Sequence, residues 1–168
     1  MMEELNRKTG KLLDTMQTQN LLLKKYRDRE EELRQFMKEQ NWDEMNLLLE
    51  RLDLLSNEIN TLDIRRDFIF NELLDDAGIE GKRDFYQLVV RLPINYREEL
   101  AAEFRKMKII ITQIEGISWA IDVYIRSVGD TVNQVLNEFY PHRKGNLYSK
   151  TGVSVPVESN PVVFNREL

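Results

Sequence analysis

Apolar positions recur along this chain in steps of three, four and seven. Leu5, Leu12, Met16, Leu23, Tyr26, Leu33 and Met37 form the first such series. That spacing predicts a helix with a one-sided seam from about Met2 to Met37. Gly10 falls near its start and weakens the first turns by about 1 kcal/mol relative to alanine. The stretch "EQNWDEMN" interrupts the pattern. Either Asn41 and Glu44 form a capping box there, or Asp43 is the cap. In the second case Trp42 and Leu47 take the staple positions, and Trp42 is read as that staple. A second seam follows at Met45, Leu48, Leu52, Leu55, Ile59, Leu62, Arg66, Ile69 and Leu73. It predicts a helix from about Asp43 to Ala77, stopped by Gly78. A short helix over Arg83–Leu92 should end at Pro93.

Asn95 and Glu98 repeat the capping pattern and open the last and longest helix. Its seam reads Leu100, Phe104, Met107, Ile111, Ile114, Ser118, Ile121, Ile125, Val128, Val132, Val135 and Phe139, with Ser118 the one polar member. Unbroken from Asn95 to Tyr140 it would span roughly 70 Å. Gly116 and Gly129 are the places where it could bend, and Pro141 ends it. Three long helices with short connections and one short helix predict an all-α, antiparallel bundle with coiled-coil-like packing. The bundle domain takes residues 1–140, and an extended or flexible tail takes 141–168.

One part of the last helix is more apolar than a seam requires. In "IIITQIEGISWAIDVYI", Ile110, Ile117 and Tyr124 form a second row seven apart, beside the seam. Ile109, Trp119 and Val123 fall on further faces. A helix apolar on most sides must be covered on most sides. The cover is the rest of this chain, a second copy, or a partner helix laid into a groove open in the free protein. Under the last reading the groove is lined by Ile110, Ile117, Trp119, Val123 and Tyr124. The tail differs again. "GVSVPVE" alternates valine with polar residues as a strand does, while Pro156 confines it to an edge or an extended segment. From Pro141 onward four basic residues face two acidic ones. The tail reads as a frayed terminus or as a docking motif with Tyr148 as its aromatic anchor.

Composition narrows the chemistry. The net charge of −5 is spread along the chain without a basic stripe, so a nucleic-acid partner is not expected. There is no cysteine, and His142, in the tail, is the one histidine. Disulfides and thiolate sites are thereby excluded, and no metal site, cofactor or catalytic constellation is expected. The glycines form no phosphate-binding loop. No N-terminal leader or membrane span is read from the sequence, and a cytoplasmic location is the expectation.

The segments "INTLDIRRDFIFNELLDDAGI" and "NLYSKTGV", within a long helical chain, resemble the FlgN family of flagellar type III export chaperones. The resemblance covers most of the chain. The chain departs from it at "EGISWAIDVYI", where the family often carries spaced asparagines. The resemblance implies a cytoplasmic, non-enzymatic chaperone. Such a protein binds the C-terminal amphipathic helices of hook-associated proteins, prevents their premature association and delivers them to the export gate. It implies that the tail, at Tyr148 and Gly152, docks on the cytoplasmic domain of the gate's membrane component. The competing expectation is a homodimeric coiled-coil structural or adaptor protein.

Overall fold

The computed structural model describes residues 2–79, 81, 84–139, 147–148 and 154–155. The protein is all-α, with helices α1 (Met2–Glu39), α2 (Trp42–Asp76), α3 (Phe85–Arg91) and α4 (Ile94–Phe139). The chain divides into two compact units, Met1–Ile121 and Asp122–Leu168.

In the first unit the long helices pack as an antiparallel bundle with α1 in the middle. Lys8 of α1 pairs with Asp76 of α2 at 2.7 Å, and Gln19 donates to Asp63 at 3.0 Å, so α1 and α2 run in opposite directions. Asn20 of α1 donates to the Glu103 carbonyl at 3.0 Å, and Ser118 donates to Glu30 at 2.8 Å, so α4 returns parallel to α1. The predicted seams supply much of the core. Leu12, Met16, Leu73 and Leu100 are buried, joined by Leu88 of the short helix, and each contributes about 1.5–3 kcal/mol by leaving water. A second cluster, around Leu33, Met37, Leu48 and Leu52, closes the end where α1 turns into α2.

The connections show how the chain stops each helix. At the end of α1 the Asn41 N–H bonds the Phe36 carbonyl and the Gln40 N–H bonds the Met37 carbonyl. This is a Schellman closure, in which one residue must turn left-handed. That residue is Gln40, at φ 58°, and the absence of glycine there hid the motif from the sequence. Asn41 then caps α2 by accepting from the Glu44 N–H. The Asp43 alternative therefore falls, and with it the staple. Trp42 lies in the first turn of α2, and both it and Leu47 are exposed. The end of α2 uses the same closure with Gly78 at φ 62°, as its position predicted.

Asp84 caps α3 by accepting from the Tyr86 and Gln87 N–H groups, so α3 begins at Phe85, two residues later than the pattern implied. The expected Asn95–Glu98 cap is also corrected. α4 starts at Ile94, which puts Asn95 inside its first turn. The Pro93 carbonyl accepts from the Tyr96 N–H, so the chain enters α4 through a proline-led turn. Proline supplies the helical φ without needing a donor.

In the second unit, the helical residues from Asp122 to Phe139 are all exposed. Two short strands follow, β1 (Leu147–Tyr148) and β2 (Ser154–Val155), paired antiparallel with Leu147 opposite Val155.

Candidate functional site

The residues expected to line a partner groove divide when placed in the fold. Ile110 is only 6% exposed and belongs to the core with Leu100 and Met107. This chain covers it, so the groove assignment is corrected at that residue. Its neighbour Ile111, assigned to the seam, is the more exposed of the two. Ile117 is half-buried and lines a shallow hollow with Arg27 and Gly116. Trp119 is 68% exposed. Val123 and Tyr124, in the second unit, are exposed. Of the tail positions, Tyr148 lies in β1, while Gly152 and His142 fall outside the described residues.

Among the described residues, the second unit carries the longest exposed apolar series. Ile125, Val128, Val132, Val135 and Phe139 keep the three-and-four spacing of a seam, and all are exposed. Val123 and Leu136, also exposed, widen it. In the first unit the same spacing on α4 produced buried residues at Leu100 and Met107, because α1 lies against them. A helical stripe of this width is what a partner helix buries.

Sequence patterning did not reveal the buried polar residues of α1. Thr9, Thr15, Gln19, Asn20 and Glu30 are buried on α1. A central helix has neighbours on two sides, and its second buried face need not be apolar if every polar group finds a partner. Thr9 and Thr15 donate to carbonyls one turn back, at Leu5 and Lys11. Asn20 donates to both the carbonyl and the carboxylate of Glu103. Gln19 accepts from Arg66 at 3.0 Å, which explains why a charged residue stands in the α2 seam. Glu30 accepts from Ser118 at 2.8 Å, which explains the polar position in the α4 seam. The other oxygen of Glu30 is buried without a hydrogen-bond partner among the described residues. Burial accordingly raises the Glu30 pKa, and the Ser118 hydroxyl opposes part of that rise.

A cavity of about 460 Å³ lies among the helices, walled by Phe70 of α2, Phe85 of α3 and Phe104 of α4. The Phe85 and Phe104 rings stack with centroids 4.0 Å apart, and Phe70 stacks on Phe85 at 6.2 Å. This stack joins α3 to both long helices. The Lys108 ammonium sits 4.5 Å from the Phe104 centroid. A second, separate cavity of about 210 Å³ is lined by Leu23, Ser56, Ile59, Ile114 and Glu115. Ile111 borders both.

Among the described residues no group of acidic or histidine side chains could hold a metal ion, and no helix is long and apolar enough to cross a membrane. No protein-family model matches the chain, nor does any curated protein or solved structure.

Proposed function

We propose that this protein is an export chaperone of the flagellar type III pathway. It binds the C-terminal amphipathic helices of hook-associated proteins, keeps them from associating early and delivers them to the export gate. The carrying observation is the exposed apolar stripe of α4 in the second unit, from Val123 to Phe139. The sequence resemblance to FlgN-type chaperones supplies the pathway. Client segments that pack in an assembled filament junction are apolar, and in the cytoplasm they need the burial that such a stripe offers. In the first unit Trp119 and Ile117 present apolar surface of their own to the client, and Tyr148 with Gly152 addresses the gate. Ile110 has no part in this proposal. No enzymatic step is involved.

The test uses the purified full chain with a purified hook-associated protein and, separately, the cytoplasmic domain of the gate component. Val132→Asp places a charge in the stripe at an exposed position, so the bundle should melt as wild type. Client binding should fall by tenfold or more, since desolvating an unpaired carboxylate costs more than about 1.4 kcal/mol. Tyr148→Ala should keep client binding and lose the gate domain. Wild-type client affinity in Val132→Asp would overturn the client assignment, and unchanged gate binding in Tyr148→Ala would remove the tail's role.

The seam-like spacing of the stripe also favours a second reading, a homodimeric coiled-coil adaptor. Sedimentation separates the two. An adaptor stays dimeric on dilution and does not exchange its second copy for a client.

A further inference from the structure

The cavity beside Phe70, Phe85 and Phe104 lies wholly within the first unit and takes no part in the proposed client binding. Its volume, about 460 Å³, falls in the range of small-molecule sites. Its floor includes the buried side chains of Met16 from α1 and Met107 from α4, and its walls are the three half-buried phenylalanine rings. Methionine sulfur and phenylalanine rings both make favourable contacts with an aromatic guest. Water fills such a space poorly, because an ordered water needs about two to four polar partners.

The charged side chains around the cavity select the sign of the guest. Arg66, Asp67, Asp84 and Lys108 all line it. Arg66 is held by Asp63 at 2.7 Å, by Asp67 at 3.2 Å and by the Gln19 side-chain oxygen at 3.0 Å. The same contact occupies Asp67. Asp84 accepts from the Tyr86 and Gln87 N–H groups at 2.8 and 3.1 Å. Lys108 alone of the four has no ion-pair partner among the described residues. Its exposed side chain places the ammonium 4.5 Å from the Phe104 centroid and 5.9 Å from that of Tyr86, at the rim of the aromatic wall. We propose that this cavity binds a small aromatic carboxylate, with its ring among the phenylalanines, Met16 and Met107 and its anionic group against Lys108. A cationic guest would meet repulsion from Lys108 and find both lining acids occupied. The inference stands on the cavity and does not rest on the flagellar reading.

The experiment titrates the full chain with three probes that share a naphthalene ring: naphthylacetate, its neutral amide, and the cation naphthylethylamine. Methionine-methyl NMR reports both the place and the affinity. Met16 and Met107 line the cavity, while Met37 and Met45 pack in the separate cluster around Leu48 and serve as controls. Naphthylacetate should shift the Met16 and Met107 methyls and leave the controls in place. It should bind about three- to fivefold more tightly than the amide, the modest gain of an exposed ion pair, and the amine should bind most weakly. Lys108→Gln should bring the acid and the amide to equal affinity, and Lys108→Arg should keep the preference. Lys108 is exposed, so both variants should melt near wild type, and Lys108→Met serves if Lys108→Gln does not fold. No shift at Met16 or Met107 with any probe, equal affinities for the three, or a preference that Lys108→Gln does not move would overturn the proposal. Shifts confined to Met37 and Met45 would also overturn it. None of these outcomes bears on the client stripe, which Val132→Asp tests by itself.

Discussion

At the scale of single residues, the informative side chains are polar ones in apolar places. Glu30 is 6% exposed, with one oxygen on Ser118 and the other without a partner among the described residues. Its carboxyl holds a proton more tightly folded than unfolded, because burial penalises the charge. Linkage then fixes the sign. The folded state binds more protons than the unfolded state between the two pKa values, so stability falls as pH rises across that window. This contribution is fully present below the ordinary value of 4.5 and is lost as pH rises through the folded value. Glu30→Gln, which cannot ionise, should therefore be more stable than wild type at neutral pH. The difference should shrink as pH falls through the folded value toward 4.5 and level off below it, and urea midpoints measured across that range would show it. A constant difference at all pH values would mean that the charge of Glu30 is not what burial penalises.

At the scale of elements, Arg66 and Gln19 explain how α1 and α2 keep their register. Arg66 interrupts the α2 seam, yet its guanidinium is shared among Gln19, Asp63 and Asp67. Gln19 is buried and bonds Asp63 through its amide nitrogen. Arg66→Met alone removes the donor to the buried Gln19 oxygen and should cost about 1–3 kcal/mol. The double change Gln19→Leu with Arg66→Met removes both needs together and should lie within about 1 kcal/mol of wild type. Urea unfolding of both single variants and the double variant closes the cycle. Additive losses would show that Gln19 and Arg66 act independently of one another. These pairs were half legible beforehand. The odd positions, Arg66 and Ser118, stood out in the seams, but their partners on α1 did not, because α1 showed only one apolar face.

For the whole molecule, each unit has its own stability signature. The first unit has a core in which Leu12, Leu73, Leu88 and Leu100 are fully buried. The helical part of the second unit has no buried residue. Amides exchange through local opening where few side chains are packed and through global unfolding where many are. Native-state hydrogen exchange should therefore place the amides of Leu12, Leu73 and Leu100 at the global free energy of unfolding. Those from Asp122 to Phe139 should exchange well below it. Under the proposed chaperone reading, a bound client should slow the second set selectively. Equal protection of the two sets in the isolated chain would mean that the stripe is already covered, and the homodimer reading would gain.

The chain's own pattern determined its class, its three long helices, the short helix before Pro93 and most of the core. These follow from local periodicity, from Gly78 and from Pro93, and local rules act within one helix. Tertiary structure decided what depends on which faces meet. It chose Asn41 over Asp43 as a cap, turned Gln40 left-handed without a glycine and started α4 at Ile94. It buried Ile110 in place of Ile111, since the covered face of α4 depends on where α1 lies and not on spacing within α4. It matched Gln19 with Arg66 and Glu30 with Ser118 across long stretches of chain. It also shaped the cavity beside Phe70, Phe85 and Phe104, because a cavity is a relation between helices that no single helix encodes.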